Sequence, residues 1–305
     1  MTTLLPGHGA EKAARSRLTG KTRLIGLFGS PVSHSHSPVM QNSVFEAMGL
    51  DYAYLAFDVR AGDEARAIDA LRLLNMRGAN VTMPLKRAVV PHLDRLSPAA
   101  QLAGAVNVIV NDAGVLTGHI TDGTGFMLSL SEKGIACRGA RIVLLGAGGA
   151  AIAVAIQAAM EGAGAVSLFN RRDSFFAEAT RFGRDLQDRF DSEISVLDLD
   201  DRDDLADHLS RADILINATP IGMEDTIDRI ALPDADALRP DLVVCDLIYV
   251  PRETLLLKEA ARRGCRTVSG IGMQLYQAVP AFELWTGQSM DIAVARRVLF
   301  GEASS

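Results

Sequence analysis

Three stretches of this chain hold side chains whose types and spacing could do chemistry. The first runs Ser33-His34-Ser35-His36-Ser37-Pro38, just past an apolar segment ending at Phe28. Ser37 before Pro38 is a helix-start signal, with serine at the N-cap and proline at the first helical position. That alone explains a capped polar turn. The alternative is that the Ser35 and Ser37 hydroxyls, beside a positive helix end, receive a carboxylate. His34 and His36 have no third ligand at sensible spacing, so no metal is expected. The second stretch, Asn80-Val81-Thr82-Met83-Pro84-Leu85-Lys86, reads as a strand ended by proline with a lysine just beyond. Such a lysine is ordinarily a solvated charge, but Asn80, Thr82 and Lys86 place three polar groups near one strand end. The third is Thr121-Asp122-Gly123-Thr124-Gly125, where Asp122 also reads as an N-cap and the glycines suit a hinge between domains.

A fourth stretch is built for backbone recognition. Ile142 to Leu145 is a short apolar run that reads as a strand buried on both faces. Gly146-Ala147-Gly148-Gly149-Ala150-Ala151 follows, placing Gly146, Gly148 and Ala151 at G-x-G-x-x-A spacing. The first glycine permits a tight turn, the second lets backbone approach a pyrophosphate, and the small third residue lets helix and strand pack closely. A helix from Ala150 to about Glu161 then points its first N–H groups at the phosphates. The next strand, Ala165 to Phe169, ends in Asn170-Arg171-Arg172-Asp173, where a ribose-contacting group belongs. A carboxylate there accepts from the free ribose hydroxyls of NAD, whereas arginine pairs with the 2′-phosphate of NADP. Both kinds of side chain are present.

These groups need elements to hold them. Strands are expected at Leu24–Phe28, Tyr52–Val59, Gly78 to Pro84, Asn107–Val110 and Val115–Ile120, with a hairpin turn at Asn111-Asp112-Ala113-Gly114. Helices are expected from Ser37 to Met48, from Asp63 to Met76 with Ile68, Leu71 and Leu74 inward, and from Phe126 to Glu132. Beyond the glycine turn, strands at Ser195–Leu197, Ile214–Asn217, Val243–Asp246 and Thr267–Ser269 alternate with helices at Phe175–Phe190, Asp203–Ser210 and Thr254–Arg263. That is the doubly wound α/β pattern. Ligands in such sheets lie outside the carboxyl ends of strands, which draws in Thr219, Leu247 and Gly270. The last apolar helix contains Gln277 and Pro280, and the proline predicts a kink near Gln277.

At 305 residues the chain has room for two domains. Its 48% hydrophobic and 22% charged content is that of a soluble globular protein, and a net charge of −6 provides no basic field for nucleic acid. Cys137, Cys245 and Cys265 are odd in number and widely spaced, which suits a reducing cytoplasm. The first twenty residues read as a polar leader without a signal-peptide core, and no segment approaches a membrane span.

In order along the chain, these segments resemble the shikimate dehydrogenase family, and more closely its quinate/shikimate dehydrogenase branch. Besides the stretches above, the resemblance rests on Gly104-Ala105-Val106-Asn107, Asn217-Ala218-Thr219-Pro220 and Glu283-Leu284-Trp285-Thr286-Gly287, and it spans Leu24 to Phe300. It implies an α/β substrate domain, residues 1–122 completed by C-terminal helices in 274–305, and a Rossmann-type nucleotide domain over 123–273. It implies that Lys86 and Asp122 are the catalytic pair, and that Ser35, Ser37, Thr82, Asn107, Thr121 and Gln277 line the substrate site, with Tyr249 nearby. The branch carries the same Asn-Arg-Arg-Asp, which implies NAD as the preferred cofactor with NADP tolerated. Two positions depart from the family: Ile120 stands where many members have Asn, and Ala278-Val279-Pro280 replaces a segment that usually has Gly after the glutamine.

Oxidising a secondary alcohol requires a hydride acceptor and a group that takes the hydroxyl proton. No Tyr-x-x-x-Lys exists here, since Tyr52, Tyr54, Tyr249 and Tyr276 are followed four residues on by Ala56, Asp58, Glu253 and Pro280. With no zinc set either, Lys86 paired to Asp122 is the best candidate. The expected partner is a small hydroxy acid, with no nucleic acid or membrane, and a homodimer is left open. The alternatives are a dehydrogenase for another hydroxylated cyclic acid, and a nucleotide-binding sensor that keeps the fold without turnover.

Overall fold

The computed structural model describes residues 18–301, so most of the expected polar leader lies outside the described residues. The chain begins with β1 (Arg23–Gly29), α1 (Ser37–Ala47), β2 (Tyr52–Asp58), α2 (Glu64–Leu73) and β3 (Gly78–Val81). After β4 (Arg95–Leu96), α3 (Pro98–Ala103), β5 (Val108–Asp112) and β6 (Val115–His119), the first six-stranded sheet is complete in the order β2-β1-β3-β5-β6-β4. The first three strands of the chain are parallel, while β5 runs antiparallel to both β3 and β6. The β5–β6 turn is tighter than expected: only Ala113 and Gly114 lie outside the strands, both at positive φ, 53° and 93°.

The helix α4 (Asp122–Glu132) leads to the second sheet. There β7 (Arg141–Leu145), α5 (Gly149–Met160), β8 (Ala165–Asn170), α6 (Phe176–Gln187), β9 (Glu193–Asp198), α7 (Arg202–Ser210) and β10 (Ile214–Asn217) alternate. They are followed by β11 (Val243–Asp246), α8 (Leu255–Arg262) and β12 (Arg266–Val268). Every pairing in this sheet is parallel, in the order β12-β11-β10-β7-β8-β9. The chain order reverses between β7 and β10, which opens a crevice at their carboxyl ends. The α/β class, with one mixed sheet and one wholly parallel sheet, is as the sequence pattern implies.

Three short helices close the chain: α9 (Ile271–Tyr276), α10 (Ala278–Thr286) and α11 (Ile292–Phe300). The expected kink falls at Gln277, a single residue that keeps helical dihedrals and caps both α9 and α10. Pro280 falls in the first turn of α10, where its missing N–H costs little. The last helices return to the first sheet. Buried Trp285 donates from Nε1 to the Ile109 carbonyl at 3.0 Å, and its own carbonyl accepts from Arg77 Nε at 2.7 Å. Phe282 stacks on Phe45 of α1 with centroids 5.4 Å apart.

Four local expectations are corrected. Leu74 is 62% exposed rather than inward, because α2 stops at Leu73 and Asn75 turns the chain at φ 49°. The helix expected from Phe126 starts at Asp122, so Gly123 and Gly125 lie inside the helix rather than in the loop before it. They serve close packing instead: a Cβ on Gly123 would sit 2.1 Å from the Ala153 carbonyl oxygen, and one on Gly125 would sit 2.3 Å from the Gln277 nitrogen. Neither Ser37 nor Asp122 is an N-cap. Each is the first residue of its helix, behind His36 and Thr121, and neither helix has a side-chain cap.

Candidate active site

Lys86 lies five residues past the end of β3, on a segment pinned to the first sheet. Thr82 N donates to the Phe28 carbonyl and Val106 N to the Lys86 carbonyl. Its Nζ reaches Asp122 Oδ2 at 2.6 Å. Asp122, at the first position of α4, sits where the helix dipole favours a carboxylate. Its other oxygen accepts from Asn107 Nδ2 at 2.9 Å. Asn107 is itself fixed, since its Oδ1 accepts from Thr121 N at 2.8 Å. Thr121 Oγ1 then donates to the Gln277 carbonyl at 3.0 Å, which ties the junction between α9 and α10 to the same spot. Asn107, Thr121 and Asp122 are all buried, while the Lys86 side chain is 32% exposed. The arrangement offers a held ammonium with one accessible flank, suited to passing a proton to or from a ligand hydroxyl.

The serine loop connects to this group through the core. Ser35 Oγ accepts from Ser37 N at 3.2 Å. Ser37 lies beside the phenol of Tyr54, which is fully buried and donates to Asn80 Oδ1 at 2.7 Å. Asn80 Nδ2 then donates to the Asn107 carbonyl at 3.0 Å. Burial drives the Tyr54 phenol well above its ordinary range, with the Ser37 hydroxyl opposing it, so this tyrosine stays neutral. Tyr54, Asn80, Asn107 and Asp122 thus form one buried hydrogen-bonded group, with the half-buried Ser35 and Ser37 next to its Tyr54 end. Thr82 stands at its edge, half-buried, with its methyl group against Gly29.

The second sheet gathers its expected residues at the carboxyl ends of its strands. Gly146 takes φ 95°, and a Cβ there would lie 3.1 Å from the Ala218 carbonyl oxygen and 3.2 Å from Thr219 Cγ2. Ala147 is half-buried, and Gly148, Gly149 and Ala150 are exposed where α5 starts. Leu247 N donates to the Asn217 carbonyl, and a Cβ on Gly270 would meet the Leu247 carbonyl oxygen at 2.3 Å. So the turn after β7, Thr219, Leu247 and Gly270 form one contiguous rim. Tyr249 is 48% exposed two residues past Leu247. At the far side of the rim, Asn170 ends β8, and Arg171, Arg172 and Asp173 follow it, all three exposed. A crevice of about 240 Å³ between the sheets is lined by Arg87, Gly104, Ala147, Ile152 and Glu178. Arg87 and Glu178 bridge it at 2.6 Å.

Comparison with known proteins shows what this pairing of sites belongs to. Residues 27–109 match the shikimate dehydrogenase substrate binding domain, and residues 270–300 match the shikimate 5′-dehydrogenase C-terminal domain. A shikimate dehydrogenase (NADP(+)) of Listeria monocytogenes is 45% identical over 284 residues, covering 93% of this chain and 98% of the relative. The chain belongs to the shikimate dehydrogenase family. Among solved structures, shikimate 5-dehydrogenase from Listeria monocytogenes, in complex with shikimate and NAD, superposes with a TM-score of 0.91. It is 45% identical and covers 93% of this chain and 98% of its own. Quinate dehydrogenase from Corynebacterium glutamicum, in complex with NAD, is 33% identical with a TM-score of 0.82, covering 92% and 99%.

Within the shikimate dehydrogenase fold of this chain, sequence reasoning missed two buried groups. Tyr54 reads in the sequence as one more apolar strand residue, although its inward position in an alternating strand was a signal. Asp246, fully buried, accepts from Asn217 Nδ2 at 3.1 Å, Ile248 N at 3.0 Å and Thr254 Oγ1 at 2.8 Å. Burial pushes its carboxyl up, against the pull of those donors. Asn217 in turn accepts from both Thr219 N and Thr219 Oγ1, at 3.0 and 2.7 Å. Asp246 therefore orients Thr219 through Asn217. The sequence signal was an acidic residue closing an apolar strand. Among the described residues, no helix is long and apolar enough to cross a membrane.

Proposed function

We propose that this chain is an NAD(P)-dependent oxidoreductase that interconverts shikimate or quinate with the corresponding 3-dehydro acid. The observation that carries the reading is the Lys86–Asp122 pair at 2.6 Å, braced by buried Asn107. The turn after β7 fits a dinucleotide: positions 148 and 149 have open space where a side chain would project, and the first N–H groups of α5 lack intrahelical acceptors. A bound nicotinamide would supply the hydride acceptor for the secondary alcohol, or the hydride donor for the ketone in reverse. In the reducing direction the Lys86 ammonium gives the forming hydroxyl its proton. In the oxidising direction Lys86, having released that proton to solvent, takes the hydroxyl proton as the amine while the carbonyl forms. Asp122 fixes Nζ and offsets its charge. Ser35 and Ser37 receive the acid's carboxylate, while Thr82, Asn107, Thr121, Gln277 and Tyr249 border the ring.

The same reading divides the chain into a substrate domain, residues 1–122 with 274–305, and a nucleotide domain over 123–273. The return of Trp285 to Ile109 supports that division. NAD is the preferred cofactor, with NADP accepted, because Asp173 and the two arginines pull in opposite directions at the ribose. Quinate as a substrate is supported by the likeness to the quinate dehydrogenase.

A turnover panel tests this. Shikimate and quinate, each with NAD and with NADP, are followed by absorbance of the reduced nicotinamide. Turnover with at least one acid, faster with NAD, is expected. Nucleotide binding without reduction of either cofactor would instead mark a sensor on this fold.

A further inference from the structure

The arginines after β8 do not stand free. Arg172 Nε donates to Asp198 Oδ2 at 2.6 Å, and its guanidinium lies 5.0 Å from the centre of the Phe176 ring. Arg171 Nε is 3.9 Å from Asp200 Oδ1. Asp198 ends β9 and is the register partner of Asn170, so it lies beside the ribose-reading turn. Asp173, the carboxylate that sequence reasoning puts on the ribose, is partly engaged elsewhere. Its Oδ1 accepts from Phe175 N at 2.9 Å and from Asn170 Nδ2 at 3.2 Å.

We infer that Asp198 is a cofactor-specificity residue, which disfavours a 2′-phosphate by holding Arg172 and by repelling the phosphate directly. The inference rests on reading the turn after β7 as a nucleotide site. For Arg172 to make a bidentate pair with a 2′-phosphate it must leave Asp198, and the phosphate must then sit near an ionised carboxylate. Asp198 stays ionised. The backbone N–H of Asp200 and the Arg172 guanidinium hold its carboxyl below the ordinary range. The Arg172 side chain is 72% exposed, so the pair is weak and exchange is possible. Asp198 therefore biases the choice without forbidding NADP. The more distant Arg171–Asp200 pair contributes less.

Calorimetric binding of adenosine 2′,5′-bisphosphate and of AMP to the full chain tests this without turnover. Asp198→Asn keeps an acceptor for Asp200 N and removes the charge. It should tighten the bisphosphate about three- to tenfold and leave AMP within about twofold. The gain should shrink at high salt, fall in the double variant with Arg172→Ala to the part due to direct repulsion, and be smaller in Asp200→Asn. An unchanged bisphosphate-to-AMP ratio in Asp198→Asn, or a gain undiminished by loss of Arg172, overturns the inference while leaving the nucleotide site standing. Failure of the wild-type chain to bind either ligand overturns both.

Discussion

Two ion pairs in this protein have the same 2.6 Å length and different surroundings. Lys86–Asp122 is braced by Asn107 and Thr121, with 12% of the Asp122 side chain exposed. Arg172–Asp198 lies on the surface, with 72% of the arginine side chain exposed. Distance alone does not separate them, and support does. A pair fixed by buried neighbours has one geometry and can direct a proton. A solvated pair is screened, can exchange partners, and is suited to tuning a preference. Substitutions should therefore have large effects at the first and graded effects at the second.

The largest effect is expected at Lys86. Lys86→Ala should lower kcat by roughly 10²–10⁴-fold while changing KM far less, read by steady-state kinetics with shikimate and NAD. Asp122→Asn keeps an oxygen but removes the charge that orients the ammonium. Its kcat should fall by roughly 10–100-fold, and near-normal turnover would place Asp122 outside the proton path. Next come the serines. Ser35→Ala and Ser37→Ala should each raise KM by about tenfold, and much less for an analogue without the carboxylate. A melting point lowered with KM unchanged would assign Ser37 to the loop alone. The smallest effects belong to the surface pair. Asp173→Ala should raise the NADP to NAD ratio of kcat/KM by about two- to fivefold, and Arg172→Ala should lower it. A ratio unmoved by either would remove the turn after β8 from cofactor choice.

The contrast also explains what could be read from the sequence. The strands Ile214–Asn217 and Val243–Asp246 fall where continuous apolar runs between polar turns put them. The kink at Gln277 follows from the local covalent geometry of Pro280. The expectations that failed depend on partners elsewhere in the chain. Leu74 satisfies helical periodicity, but the turn at Asn75 ends the helix first. Gly123 and Gly125 read as loop residues because nothing local shows that Ala153 and Gln277 press against them. The site divides the same way. Lys86, Asp122 and the glycine turn sit in recognisable motifs. Tyr54 and Asp198 each gain their role from a residue 26 positions away, and such pairing is set by sheet register.

The most direct test of the central claim separates binding from chemistry at Lys86. Shikimate affinity of Lys86→Ala is measured by calorimetry, and its single-turnover rate of NAD reduction is measured at saturating shikimate. If Lys86 moves the proton, Kd should stay within about tenfold of wild type while the single-turnover rate falls by roughly 10²–10⁴-fold. A variant that binds shikimate far more weakly yet reduces NAD at the wild-type rate once saturated would contradict the account, and would make Lys86 a binding residue.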